Sequence, residues 1–310
     1  MGFKFTRVDL VLLLMVAFWG GNLTVIKVAL KHFDPVVFNC LRFVIACLCM
    51  LVIYRTIFRD PIPRKTLYQL MLLGFVGNTL YQFMFIYGVN LTRVSHTAIL
   101  LAVAPLFTAI ISRQMGFEKI GKQIWFGIAT CFAGIVLIVF GGTGENAFTL
   151  DTNLGDLLII LASLSWAIYT SFSRNVVDQY SHRHYLAYTV IFGTLFLIPL
   201  SLPAFFHQNW TSVQISDWVA VVYSALFSLV FGYSAWYYAV GKIGSTRTAV
   251  YSNLTPVSGL LVGMIFLGDR FSPLQWLGSI FILAGLVINR MAQAVEMLPE
   301  EGIRMSRTAD

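Results

Sequence analysis

Residues 118–134 read EKIGKQIWFGIATCFAG, and residues 269–285 read DRFSPLQWLGSIFILAG. Set one above the other, they share an acid–base pair, Glu118-Lys119 and Asp269-Arg270. They also share a Trp-x-Gly, Trp125 to Gly127 and Trp276 to Gly278, and an Ala-Gly, Ala133-Gly134 and Ala284-Gly285. The register extends outward without a gap. At the same shift of 151 residues, Tyr87 falls on Tyr238, Val89 on Val240, Thr97-Ala98 on Thr248-Ala249 and Pro105 on Pro256. Near the start of each half the shift is 147, which places Asp9, Trp19 and Lys27 on Asp156, Trp166 and Arg174. Apolar helices resemble one another by chance. Shared Trp, Pro and acid–base pairs in one register rarely do, so the chain reads as a duplication.

The number of membrane spans in each copy decides its geometry. A spanning helix takes ~20 apolar residues, and ten such stretches run at roughly 9–30, 36–57, 67–88, 96–114, 123–141, 156–174, 184–205, 217–239, 247–266 and 275–292. Each copy holds five. An odd count makes the second copy enter the membrane from the opposite side, so the repeat is inverted about an axis in the membrane plane. Inverted repeats are frequent in secondary transporters, with the solute near the midplane between the halves. The predicted fold class is an all-α polytopic membrane protein of ten transmembrane helices in two inverted five-helix repeats. The expected division is a first repeat at 1–141, an outer loop at 142–155, a second repeat at 156–292 and a cytoplasmic tail at 293–310. The tail is expected to be mobile and dispensable.

Composition agrees. Of 310 residues, 58% are hydrophobic and 11% charged, against ~25% charged in soluble domains. Mean hydropathy is +0.77. Such a chain cannot cover a water-facing surface, which excludes soluble enzymes and disordered or fibrous proteins. No loop is long enough to fold as a domain, so the function lies inside the bundle.

The net charge of +7 follows membrane topology, not nucleic acid. With the N-terminus inside, sixteen Lys and Arg lie on the cytoplasmic side. Only Lys27, Lys31, Arg93 and Arg270 lie on or near the outside, and Arg42 falls within a helix. This fits the positive-inside rule and predicts a multi-pass plasma-membrane protein, the inner membrane in a bacterium, with both termini cytoplasmic.

Polar groups within spans are candidates for function because lipid makes them expensive. All fourteen acids fall at helix ends, loops or tails. No carboxylate proton relay is expected, which leaves facilitated diffusion or exchange as the simplest mechanism. Arg42 reads two ways: a structural pair with Asp34 or a helix C-terminus, or a clamp for a substrate carboxylate or phosphate. Lys27, near the outer end of span 1, can snorkel. In span 3, Asn78, Tyr81, Gln82 and Phe85 follow i, i+3, i+4, i+7 and share one predicted face. Span 8 carries Gly232, Tyr233, Trp236 and Tyr237. Span 6 carries Trp166 and Tyr169, and span 1 carries Trp19 and Asn22. Trp19 and Trp166 lie ten residues past Asp9 and Asp156, hence ~15 Å deep, too deep for interfacial anchors. Pro105 and Pro256 predict mid-membrane kinks in spans 4 and 9 that serve as gates or cavity walls. Ser252 and Asn253 lie beside the second kink.

Small residues in spans 5 and 10 predict close packing away from the cavity. Cys40, Cys47, Cys49 and Cys131 read as buried hydrophobes. No metal or cofactor is expected, and no P-loop, G-x-S-x-G or H-E-x-x-H is present, so the chain does not read as an enzyme.

These residues together resemble the EamA-type members of the drug/metabolite transporter superfamily. The matching positions are Trp19-Gly20 with Asn22 and Lys27, Asp34-Pro35 with Arg42, and Pro105, Glu118, Trp125, Gly127 and Gly134. The second copy contributes Trp166-Ala167, Pro256, Gly268-Asp269, Gln275-Trp276, Gly278 and Gly285. The resemblance runs from about residue 9 to 292. It implies ten helices, cytoplasmic termini and the movement of amino acids, metabolites or drugs, usually outward.

The expected partners are a small-molecule solute and the bilayer, without nucleic acid, in a monomer or homodimer. Aromatic walls with a few amides suit an aromatic or large neutral amino acid, or a lipophilic cation. Two alternatives stay open: an organic-anion or sugar-phosphate exchanger using Lys27 and Arg42, and a non-transporting scaffold or receptor.

Overall fold

The computed structural model describes residues 5–54, 62–92, 94–141, 154–262, 264 and 272–307. The first copy begins with α1 (Arg7–Ala29) and α2 (Pro35–Ile53). Its third span is α3 (Arg64–Gly74), a π-helical stretch at Phe75–Leu80, and α4 (Tyr81–Leu91). Its fourth is broken into α5 (Val94–Leu101) and α6 (Ala104–Gln114), and its fifth is α7 (Lys122–Phe140). The second copy repeats the plan with α8 (Leu154–Gln179) and α9 (His182–His207). Its third span is α10 (Ile215–Tyr223), a π-helical stretch at Ser224–Phe231, and α11 (Gly232–Ile243). Its fourth is α12 (Ser245–Tyr251), a 3₁₀ turn at Ser252–Leu254, and α13 (Thr255–Val262), and its fifth is α14 (Pro273–Arg307). Seven of these spans are long and apolar enough to cross a membrane. The other three are the two broken spans and α14, which is apolar only over Pro273–Asn289.

Local chemistry starts the helices where the sequence signals it. Thr6 and Asp9 form a reciprocal capping box on α1, the pattern that satisfies orphan amides at a helix start. Asp34 accepts from the amides of Val36 and Val37 while Pro35 occupies the first turn of α2, where a missing N–H costs nothing. The irregular segments recur in both copies. The two π stretches coincide under the 151-residue shift, and so do the breaks before Pro105 and Pro256. Proline removes a backbone bond and clashes with the preceding turn, so helix continuity fails at Ala102–Val103 and tightens at Ser252–Leu254.

Packing follows the same exchange of halves. α1 packs on α13 and α11, and its copy α8 packs on α6 and α4. α7 and α14 pair directly. Gly127 lies against the Gly285 carbonyl, and Gly134 lies against the Gly278 carbonyl. The rising numbers of one helix meet the falling numbers of the other, so the pair is antiparallel. Trp125 and Trp276, near the two N-termini, therefore sit at opposite ends of the bundle. The Cys131 Sγ reaches the Ile282 carbonyl at 3.5 Å, and Ile282 is its own copy under the shift. The α2–α9 pair behaves alike: Cys47 meets Thr194, its copy at 147. Residues that meet their own copies mark the pseudo-two-fold axis.

One expectation about the ends changes, and another lies outside the described residues. α14 does not stop near 292, because its backbone stays helical to Arg307; residues 291–298 are MAQAVEML, mostly good helix formers. The outer loop falls outside the described residues from 142 to 153, as do Gly268, Asp269 and Arg270.

The seam tolerates no side chain. A Cβ at Gly134 falls 2.5 Å from the Gly278 carbonyl, and overpacking of this kind costs ~1–3 kcal/mol. Gly134→Val is expected to lower the melting temperature of the purified protein in detergent. Ala129→Val, on the exposed face of the same helix, is expected to leave it unchanged.

Candidate functional site

A cavity of about 120 Å³ lies between the halves. The first copy supplies Trp19, Asn22 and Leu23 from α1, Arg42 from α2, and Tyr81, Gln82 and Phe85 from α4. It also supplies Leu101, Ala102 and Ala104 from the broken fourth span, and Ile135 from α7. The second copy supplies Ser163 and Trp166 from α8, Ser228 and Leu229 from the π stretch, and Tyr233 from α11. Ser252, Thr255 and Pro256 come from the second break.

One wall is aromatic. Trp166 lies 5.0 Å from Tyr81 and 5.3 Å from Tyr233 between ring centroids. Trp19 meets Trp166 edge-on at 6.0 Å. Tyr81 stacks on Phe85 one helical turn away at 5.7 Å. Such tilted and edge-on contacts use the positive ring edge against the negative face. The Trp19 indole N–H donates to the Ser228 carbonyl at 3.0 Å. The Gly232 amide, four residues on, points to the Leu229 and Phe227 carbonyls rather than to this one.

Tyr233 also belongs to a second, polar pole of the cavity, a chain of four side chains. Arg42 donates from Nε to Asn39 Oδ1 at 2.8 Å and from Nη2 to Gln82 Oε1 at 2.5 Å. Gln82 then donates from Nε2 to the Tyr233 hydroxyl at 2.7 Å. Gln82 and Tyr233 are copies under the 151-residue shift, so this bond crosses the pseudo-two-fold axis. Arg42 is 1% exposed, and its guanidinium also lies over the Phe38 ring at 5.8 Å. Among the described residues Arg42 bonds to neither Asp34, which caps α2, nor a helix C-terminal carbonyl. Among the described residues Arg42 has no acidic partner. Two neutral amide oxygens, from Asn39 and Gln82, hold its charge instead. Its Nη1, the Tyr81 hydroxyl and the Trp166 indole N–H make no hydrogen bond to protein among the described residues. Among the described residues the cavity thus offers several donors and no carboxylate.

Of the residues singled out from the sequence, Trp19, Asn22, Arg42, Tyr81, Gln82, Trp166, Tyr233, Ser252 and Pro256 line this cavity. Asn78, Tyr169, Trp236, Tyr237, Asn253 and Pro105 do not. Asn78 turns away because the π stretch at Phe75–Leu80 widens the helix and breaks the 3.6-residue period on which the shared face was predicted. It donates to the Tyr169 hydroxyl at 3.1 Å and to the Thr189 carbonyl at 3.0 Å. Tyr169 packs over Gly77, where a Cβ would lie 2.1 Å from the ring. Tyr237 joins Tyr169 and Tyr185 in the same cluster. Trp236 backs the wall, stacked on Trp19 at 5.4 Å. Asn253 is buried beside Cys131 on α7, and Pro105 is buried in α6. Lys27 donates to the Thr92 carbonyl at 2.9 Å.

Other wall residues went unread. Ser163 sits three positions before Trp166 on one helix face, and Leu101 to Ala104 flank the predicted Pro105 kink; both signals were present. Ile135 corrects the placement of α7, whose apolar span was expected to stay clear of the cavity. An apolar wall leaves no polar trace in sequence.

A family description matches the chain twice, at residues 6–140 and 153–291, as the EamA-like transporter family. The chain belongs to that family: it is a multi-pass membrane transporter of a small-molecule solute, and the family is not one of enzymes. It is 27% identical over 92% of its length to the uncharacterized transporter YyaM of Bacillus subtilis, covering 93% of that protein. It is 30% identical over 89% of its length to a probable amino-acid metabolite efflux pump of Escherichia coli, covering 92% of that protein. A protein of known crystal structure shares the fold, with a TM-score of 0.77 at 15% identity over 94% of this chain and 99% of that one.

The polar chain makes a stability prediction. Gln82→Leu strands both the Arg42 Nη2 and the Tyr233 hydroxyl, and each orphaned buried group costs ~1–3 kcal/mol, more when charged. Thermal denaturation is expected to show a larger loss for Gln82→Leu than for Tyr233→Phe, which leaves Arg42 paired.

Proposed function

We propose that the transporter exports amino acids or similar small organic metabolites by alternating access, as a uniporter or exchanger. The observation that carries this reading is Arg42, a buried guanidinium with free donor capacity at one pole of an aromatic cavity between inverted halves. A planar guanidinium binds a carboxylate through two parallel hydrogen bonds, and the Trp19–Trp166–Tyr233 wall accepts an apolar or aromatic body. The name of the Escherichia coli relative, a probable amino-acid metabolite efflux pump, supports the same solute class.

In this reading Trp19, Asn22, Arg42, Tyr81, Gln82, Trp166, Tyr233 and Ser252 contact the solute. Asn78, Tyr169, Trp236, Tyr237 and Asn253 hold those contacts from behind. The breaks at Pro105 and Pro256 act as paired gates, since each interrupts a span beside the cavity and the two exchange under the repeat. The positive-inside distribution supports cytoplasmic termini in a plasma membrane, and a monomer or homodimer serves the mechanism equally.

Equilibrium counterflow in proteoliposomes, run with radiolabelled amino acids and their deaminated derivatives, tests this. Exchange of at least one member is expected; no flux across the panel would favour a scaffold. Arg42→Lys keeps the charge but loses the fork, and is expected to weaken competition by carboxylates at least tenfold. Pro256→Ala is expected to slow turnover more than it changes half-saturation. Unchanged transport in Arg42→Lys would remove the bidentate carboxylate contact.

A further inference from the structure

Among the described residues, the cavity holds one charge, that of Arg42, and no acid beside it balances that charge. Asp9 sits at the start of α1, bonded to Thr6 and to the Tyr251 hydroxyl. Asp156 accepts from Thr92 at 2.5 Å. Asp217 meets His32 at 2.9 Å. Glu118 accepts from the Ser245 and Thr246 amides. Among the described residues, none of the acids lines the cavity, while Arg42, always protonated in proteins, does. Its electrostatic neighbours are the phenols of Tyr81 and Tyr233, both neutral donors.

Two consequences follow from desolvation. An α-amino acid brings its ammonium within a few ångströms of its carboxylate. That second cation would enter a dry site beside Arg42 with no carboxylate to receive it. A carboxylate lacking the ammonium brings no such penalty. The charge state of the moving cavity also differs between the halves of the cycle. Loaded with a monoanion, the Arg42 site is neutral. Empty, it carries one positive charge, which an inside-negative membrane potential draws toward the inward-facing state. One full cycle then moves one negative charge outward, down the electrical gradient of an inside-negative membrane.

Resting on the transport reading above, we propose that Arg42 is the charge-carrying element of the cycle. The preferred solute is a monoanionic carboxylate with an apolar or aromatic body and no ammonium, and its net export is driven by the membrane potential. No carboxylate proton relay is needed for uphill export in this scheme.

The experiment uses the full chain in proteoliposomes at pH 7.4, with labelled phenylpyruvate and phenylalanine as probes. The first arm is counterflow at zero potential. Phenylpyruvate is expected to exchange at least tenfold faster than phenylalanine. Equal or faster exchange of phenylalanine would overturn the inference and leave the transport reading standing. Exchange of neither, nor of any solute in the wider panel, would sink the transport reading and this inference with it. The second arm imposes a tenfold potassium gradient with valinomycin, about 59 mV, which for one charge corresponds to a tenfold distribution at equilibrium. Phenylpyruvate is expected to approach a tenfold excess on the positive side whichever way the protein is inserted. A ratio that stays at one despite rapid counterflow would overturn the proposal. In the third arm, R42Q that elutes as the monodisperse protein is expected to lose phenylpyruvate exchange at least tenfold, and retention of exchange would overturn it. The first two arms use only wild-type protein, so poor folding of R42Q does not shield the proposal.

Discussion

The close approach of α7 and α14 is the constraint on which the rest depends. Gly127 against Gly285 and Gly134 against Gly278 bring two backbones together where no Cβ fits. Small residues are the usual means of such approach between membrane helices, where no hydrophobic driving force separates protein from lipid. Because each contact pairs a residue of one copy with a residue of the other in descending order, the seam makes the two copies antiparallel. It thereby sets the axis about which every other inter-half contact is arranged.

Irregular backbone is repeated as faithfully as regular helix. The π stretches at Phe75–Leu80 and Ser224–Phe231 sit in equivalent spans. In the second, the Ser228 carbonyl accepts from the Trp19 indole. In the first, the wider turn swings Asn78 off the cavity and into the Tyr169–Thr189 cluster. The proline breaks place Leu101, Ala102 and Ala104, and Ser252, Thr255 and Pro256, on the cavity wall. Irregular backbone at membrane depth is tolerated where it is buried in protein or lines a cavity, and both cases occur here.

The backbone is symmetric and the chemistry is not. Under the 147-residue shift Arg42 corresponds to Thr189, and under the 151-residue shift Gln82 corresponds to Tyr233. At these positions one half carries a cation and an amide and the other carries hydroxyls, while both halves supply rings to the cavity. The hydrogen bond from Gln82 to Tyr233 joins these two inventories on the axis itself. A symmetric scaffold can open to either side equally, and an asymmetric pole gives the solute a fixed orientation within it.

The amino-acid sequence alone determined the duplication, the odd span count, the two proline breaks and the short list of polar residues in lipid. These depend on local chemistry or on comparing the chain with itself: Pro256 interrupts a helix whatever surrounds it, and Trp276-x-Gly278 matches Trp125-x-Gly127 without coordinates. Only the tertiary structure decided which residues share a wall. Asn78 and Gln82 are four apart on a predicted stripe, yet one packs behind and the other faces the cavity, because a π turn changes the residues per turn. Ile135 reached the wall with no polar atom to announce it. Arg42 was visible from the start, but its bonds to Asn39 and Gln82, with no acidic partner among the described residues, were not, since pairing with Gln82 is a property of neighbours distant in the chain.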